Sequence, residues 1–299
     1  MNLIITSLEQ GLIFGILAMG VFLTYKVLNE ADLSVEGTFP FGAFVFAKFI
    51  MMGINPIIST IMAFLLGTLA GLTTCMLFIK LKIKPLLAGI LTMTIFYSVN
   101  LRLNGKANIP LFSYGSVFDM ASTSIILIIT VLGIKLLLDT FLKTEKGYLL
   151  MATGDNVSFV KSLGVNSNKY KVLGFMLANG LIALSGALMA QYQGFVDITM
   201  GTGVIVIALA SIIIGDTIKK NSSWFKSTSR AIVGAIVYKI IGGVAIDLGL
   251  APTDLKAISA IIVIVFIAYN NFAVDLLGRK GRQERRRVNA KNTEPIKDF

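Results

Sequence analysis

Asp32, Ser34, Glu36 and Thr38 stand at alternate positions in the stretch ADLSVEGT, directly after one apolar run and before another. Asp197 and Thr199 open a second stretch of the same kind, DITMGTG. Both read Asp, apolar residue, hydroxyl, apolar residue, with a glycine within two residues. A carboxylate and a hydroxyl at a helix start can accept hydrogen bonds from the first backbone N–H groups, which find no partner within the helix or in lipid. Burying such a charge is costly, about 2.5–3.5 kcal/mol at a mid-membrane position on insertion scales. These residues therefore mark an interior lined by protein or water. Asp-x-Ser/Thr is also a common helix cap, so two ordinary helix starts would share the pattern.

Other chemistries are excluded by composition. The chain has no histidine, which removes His-based acid–base catalysis, Ser-His dyads and H-E-x-x-H zinc sites. No G-x-x-x-x-G-K-[ST] stretch occurs, so ATP is not bound here through a P-loop. Cys75 is the single cysteine and lies in an apolar run, a small core residue with no disulfide partner in the chain. No recognisable set of metal ligands emerges, and neither catalytic residues nor a metal site are expected.

The elements that position the carboxylates are apolar. Of 299 residues 55% are hydrophobic and only 14% charged, with a mean hydropathy of +0.81. That balance makes the bilayer the expected solvent. Nine apolar segments recur, at 3–25, 37–52, 56–79, 86–101, 121–142, 172–193, 203–216, 230–247 and 257–277. The first lacks a basic leader region and reads as a retained span. The chain is thus read as an all-α polytopic membrane protein of about nine transmembrane helices. Residues 1–277 form the transmembrane domain, and 278–299, containing GRKGRQERRR, form a basic cytoplasmic tail.

The net charge of +11 is not a nucleic-acid signature, because the charges cluster in short connections and in the tail. With the N-terminus outside and the C-terminus cytoplasmic, the inner connections and tail hold 21 Lys and Arg, against Arg102, Lys106 and Lys256 outside. That asymmetry sets the orientation. Segments 37–52 and 203–216 are too short for a regular span and follow the two Asp-x-Ser/Thr stretches. In opposed halves, such short, glycine-interrupted segments point to an inverted repeat whose broken helices line a path. Lys239, mid-segment, is expected to pair with one of these carboxylates, ahead of the alternative that its stem snorkels to the membrane edge. Lys135 and Asp139 form an i, i+4 ion pair. Gly67 and Gly71 permit close helix contact.

The longest inner loop, 143–171, carries a two-turn amphipathic helix, with Asp155 as its cap, Phe159, Val160 and Leu163 on one face, and Gly164 as its stop. Nothing in the loop itself buries that face. It would dock in a groove on a partner or pack back on neighbouring helix ends.

Ala152, Gly154 and Asn156, then Gly164, Val165 and Asn166, then Gly180, Ala183, Gly186 and Ala187 follow a pattern. It resembles that of the ABC-importer permeases that move branched-chain amino acids, ribose-type sugars and nucleosides. ADLSVEG and MGTGVIVIALASIIIGDT are similar to further stretches of that family, in the same order, over residues 8–275. After segment 203–216 those proteins usually continue with a glycine-rich stretch, where this chain reads Gly215-Asp216-Thr217-Ile218-Lys219-Lys220, with Trp224 beyond.

The resemblance implies a type II ABC-importer-like permease in a bacterial plasma membrane. It would be a dimer, here of two copies of one chain, with a path along its axis. A separate cytoplasmic ATPase would hold ATP and magnesium, this chain holding no cofactor, and an external binding protein would deliver the solute. Gly154, Asp155, Asn156, Phe159, Leu163 and Gly164 would then form the coupling helix. Asp32, Ser34, Glu36, Thr38, Asp197, Thr199 and Lys239 would line or shape the path. Amino acids, aromatic ones among them, stand ahead of nucleosides and sugars as cargo. An ion-coupled secondary transporter of a small solute is the alternative, since inverted repeats and intramembrane carboxylates suit it equally, but it needs no docking helix.

Overall fold

The computed structural model describes residues 3–218 and 226–250, together with residues 257, 260, 261, 264–266 and 268. Helix α1 (Leu3–Phe22) runs into a π-helical turn, Leu23–Val27. Helices α2 (Val35–Met51), α3 (Pro56–Ile79), α4 (Pro85–Asn104) and α5 (Thr123–Leu142) follow. Two short helices, α6 (Glu145–Asp155) and α7 (Val157–Ser162), precede the long α8 (Ser167–Gln193). A 3-10 turn, Ile198–Gly201, leads to α9 (Val204–Ile218), and α10 (Ser227–Asp247) follows. Among the described residues the strands form one pair, β1 (Asn108–Pro110) antiparallel to β2 (Phe195–Asp197), with Asn108 opposite Asp197.

Local chemistry sets these bounds. Pro56 and Pro85 sit in the first turns of α3 and α4, where a missing N–H costs nothing. Asn55 Oδ1 accepts the Ile57 N–H at 2.9 Å. Helix α8 begins five residues before the apolar run that announces it, because Asn166 Oδ1 caps it through the Asn168 N–H at 3.0 Å.

Eight of the nine apolar segments coincide with helices; two thirds of the ninth, 257–277, and the whole tail lie outside the described residues. Among the described residues, seven helical stretches are long and apolar enough to cross a membrane: 3–27, 56–79, 85–104, 123–142, 167–193, 198–218 and 227–247. Helix α2 is not among them, so the expected count of nine spans is not reproduced among the described residues. At ~1.5 Å per residue its 17 residues cover only ~25 Å, short of the ~30 Å hydrocarbon core.

The centre of the bundle is α8, which packs against α1, α2, α3 and α6, while α10 packs on α1 and α9. Close approach is bought with small residues. A Cβ on Gly42 of α2 would run into the Ala183 backbone, on Gly67 of α3 into the Ala183 methyl, and on Gly71 into the Phe175 carbonyl. Ile58, Ile61, Leu65 and Leu69 of α3 and Ile128, Ile129, Leu132 and Leu136 of α5 remain exposed, the composition of a lipid-facing surface.

Gly42→Val is expected to separate α2 from α8 and cost more than the ~1–3 kcal/mol of ordinary core overpacking, since backbone rather than a side chain stands in the way. Gly133 of α5 has nothing within reach of an added Cβ. Gly133→Ala is expected to stabilise by up to ~1 kcal/mol through helix propensity. Size-exclusion profiles and thermal unfolding in mild detergent check both.

Candidate functional site

Helix α2 begins inside the bundle because a polar cluster holds its first turn there. Asp32 is only 3% exposed, and Ser34, Thr38 and Asn179 have no exposure. Asp32 Oδ1 accepts the Ser34 N–H (2.9 Å) and the Ser34 hydroxyl (2.6 Å), and Oδ2 accepts Asn179 Nδ2–H (2.9 Å). On its other side Asn179 Oδ1 accepts the Thr38 hydroxyl at 2.8 Å. Asn179 lies near the midpoint of the 27-residue α8, so α2 starts about halfway through the bundle. Ser34 precedes α2 without capping it by its side chain; the carboxylate two residues earlier accepts the Ser34 N–H instead.

The second start repeats the first. Asp197 Oδ1 accepts the Thr199 N–H (2.8 Å) and the Thr199 hydroxyl, and Oδ2 accepts Asn108 Nδ2–H (3.1 Å). Each aspartate thus holds the N–H and hydroxyl of the residue two positions on, plus an asparagine amide from a neighbouring element. Asp197 is half-exposed, and the Thr199 hydroxyl holds its carboxyl below the ordinary range against a weaker burial effect.

The two starts also meet. The Gly203 N–H donates to Glu36 Oε1 at 3.0 Å. A Cβ on Gly201 would strike the Glu36 carbonyl and lie 2.7 Å from Pro40 Cδ, so only glycine fits. Against this junction lies a pocket of ≈ 300 Å³, whose lining includes Glu36, Thr199 and Thr202 from the two starts and Met93, Tyr97 and Asn100 of α4.

Lys239 is elsewhere. Its ammonium lies 3.8 Å from the centroid of the Phe14 ring and 3.3 Å from Gln10 Oε1. The expected pairing with Asp32, Glu36 or Asp197 is therefore corrected: Lys239 faces α1, whereas those carboxylates belong to the two helix starts. Its charge is met by a ring face and an amide oxygen.

Loop 143–171 forms two helices rather than one. Asp155 is the last residue of α6 and exposed; the cap of α7 is Asn156, whose Oδ1 accepts the Phe159 N–H at 3.0 Å. Gly164, at φ +74°, follows as the stop. Phe159 and Leu163 are 53% and 55% exposed, but Val160 is fully buried, so the expected three-residue face is split. Gly154 sits directly on the chain leading to Asp32, since a Cβ there would strike the Val27 carbonyl and approach Leu28 Cα to 2.8 Å. Lys171 and Glu30 close the same segment with a 2.7 Å ion pair.

Sequence reasoning did not anticipate Asn179 or Asn100, single amides in apolar helices with no pattern to mark them. It also passed over Glu9, a buried carboxylate on α1 that accepts the Ser124 hydroxyl and the Tyr192 hydroxyl (3.1 Å). The Lys135–Asp139 pair is present at 3.0 Å, and Lys226 (2.9 Å) and the Thr228 hydroxyl (2.6 Å) join it.

The chain is thus a bundle of apolar helices in which two polar helix starts meet. Residues 3–268 match the family described as branched-chain amino acid transport system permease component, and the chain belongs to that family. It is a permease subunit of an ABC importer. It is 47% identical over 277 residues to a tyrosine transport system permease protein of Clostridioides difficile, covering 92% of this chain and 94% of that one. It is 28% identical over 229 residues to the autoinducer 2 import system permease protein LsrC of Escherichia coli, covering 74% of this chain and 64% of that one. A solved structure, PsaBC from Streptococcus pneumoniae in complex with Fab, shares the fold at a TM-score of 0.53 and 18% identity, covering 89% of this chain and 91% of that one.

Asn179→Leu removes both the donor to Asp32 and the acceptor for Thr38. It is expected to cost roughly 3–5 kcal/mol, because a buried charge loses its partner. Adding Asp32→Leu should recover much of that loss. Thermal unfolding of the purified chain in detergent tests both steps.

Proposed function

We propose that this chain forms the translocation path of an importer for an amino acid, an aromatic one such as tyrosine, and couples that path to a separate ATPase. The observation that carries the path is the meeting of two matched helix starts, Asp32–Thr38 and Asp197–Gly203, halfway through an apolar bundle. The relative that transports tyrosine supports the cargo class. The N-terminus faces out and the C-terminus the cytoplasm of a bacterial cell membrane, an orientation supported by the clustering of Lys and Arg at one set of loops.

In this reading α7 is the coupling helix. It offers Phe159 and Leu163 to a groove on the ATPase, which alone holds ATP and magnesium. Movement of α6 and α7 reaches the path through Gly154, packed on Val27 and Leu28, and from there along the few residues to Asp32. Opening requires the starts of α2 and α9 to part, which breaks the bond between Glu36 and the Gly203 N–H. Asp32, Ser34 and Thr38 fix the hinge of α2 and do not contact solute, since their side chains are consumed by one another and by Asn179. Lys239 braces α10 against α1. Two copies of the chain form the channel, and an extracytoplasmic binding protein selects the cargo. No observation favours the ion-driven alternative.

Purifying the tagged chain from native membranes in mild detergent is expected to bring down a stoichiometric P-loop ATPase, identified by mass spectrometry. Recovery of the chain alone, under conditions that preserve a known importer complex, contradicts the reading. Phe159→Asp with Leu163→Asp is expected to abolish ATPase recovery and lower uptake more than ten-fold. Both residues are exposed, so stability should change by only about 0.5 kcal/mol each.

A further inference from the structure

Leu23–Val27 is the one π-helical turn among the described residues, and it lies between α1 and the chain that leads to Asp32. Such turns hold one residue more than an α-helical turn and recur at functional sites. The extra residue shows in both bonds that close this one. The Leu28 N–H donates to the Leu23 carbonyl at 3.0 Å, five residues back rather than four. The Glu30 N–H donates to the Thr24 carbonyl at 2.9 Å, six residues back, where a Schellman ending would reach five. Between them Asn29 takes the left-handed conformation at φ +55°, which ends the helix there.

The turn has an alternative set of bonds. Rewound to an α-helix, it would offer the Leu28 N–H the Thr24 carbonyl and the Glu30 N–H the Tyr25 carbonyl. Each donor then keeps an acceptor, so the exchange leaves neither N–H without a partner. It also hands one residue to the connection between Leu28 and Ser34. One residue of extended chain adds ~3.3–3.6 Å of reach. The contact between the two helix starts, from the Gly203 N–H to Glu36 Oε1, is 3.0 Å long, so that reach carries it past hydrogen-bonding distance.

The packing around the turn is placed to drive the exchange. Leu28 is buried between α6 and α8: a Cβ on Gly174 of α8 would lie 2.6 Å from Leu28 Cδ1 and 3.0 Å from Leu150 Cδ1 of α6. Gly154 of α6 lies against Val27 and Leu28 as well. A shift of α6 against α8 must displace Leu28, and with it the end of the turn. Lys26, within the turn, pairs with Asp216 of α9 at 3.0 Å, which ties the wide form to the other short helix.

We propose that Leu23–Val27 is a length reserve for transport: α6, displaced by the ATPase, rewinds the turn to α, and the released residue lets the start of α2 leave the start of α9. Rewinding also swings Lys26 off Asp216. The inference rests on the permease reading and deepens it, naming where the coupling movement is taken up.

The test uses the full-length chain purified with its ATPase and binding protein and reconstituted in liposomes, following ATP-driven uptake of L-tyrosine. Deleting Tyr25, which is exposed, removes the reserve without removing a buried side chain. ATP hydrolysis is expected to persist while uptake falls about ten-fold, the pattern of a conformational step cut off from the chemistry. An alanine then inserted between Glu30 and Ala31, where Ala31 is exposed, returns the missing length and should recover most of the uptake. A turn that merely kept α1 in shape would gain nothing from that insertion. Where the shortened chain fails to assemble, the decision falls to Lys26→Cys with Asp216→Cys in a Cys75→Ser chain of full length. Joined by a short bis-methanethiosulfonate, the two thiols should hold the turn wide and stop uptake until a reductant cleaves the link. Undiminished uptake by the shortened or the joined chain, or a loss that the inserted alanine leaves untouched, overturns the proposal. Failure to recover an ATPase with the unaltered chain contradicts the permease reading instead.

Discussion

A carboxylate almost without exposure inside an apolar bundle is the constraint on which the rest of this structure depends. Asp32 is tolerable there only because Ser34 and Asn179 supply three hydrogen bonds to it. Asn179 stands near the middle of α8, so the bond pattern places the start of α2 at that height and shortens it to 17 residues. The glycines follow from the same constraint. A chain that begins mid-bundle must lie against α8 along its length, which is why Gly42 faces Ala183 with no room for a side chain. Opposite it, Gly201 lets the turn before α9 reach the Glu36 carbonyl, bringing the two short helices start to start.

In the proposed function, that arrangement is what would let a loop far from the pocket govern it. The contact of Gly154 with Val27 and Leu28 has no slack, and the Glu30–Lys171 ion pair holds the adjoining residues to α8. Close-packed interfaces of this kind switch between discrete arrangements rather than yield gradually. In the proposed coupling, a push on α6 would be delivered to the stretch that ends at Asp32. The proposed hinge there is polar, so hydrogen bonds could be exchanged within it without exposing backbone to lipid.

Much of this was legible before the structure. The apolar runs locate eight helices because a span must satisfy its own backbone and stay apolar for some twenty residues. The Asp-x-Ser/Thr stretches are legible for a related reason: the residues that can hold a helix start inside a membrane are few. Their atomic equivalence, down to an asparagine amide on each aspartate, was not legible, since Asn108 and Asn179 lie far from them in the chain. Asn156 rather than Asp155 caps α7, an error of one residue between two equally good capping types. Lys239 was misassigned because hydropathy shows that a helix is buried without showing which neighbour it faces. Its partners, Gln10 and Phe14, belong to α1 and neither is a carboxylate.

The central claim is that the starts of α2 and α9 touch in the resting chain and part during transport. Cysteines at Glu36 and Thr202, in a Cys75→Ser background, can be joined by a short bifunctional thiol reagent in the importer reconstituted with its ATPase. The account predicts efficient joining without nucleotide, loss of ATP-driven uptake while the link is present, and recovery when a reductant cleaves it. Failure of the two thiols to join, or undiminished uptake by the joined protein, would contradict it.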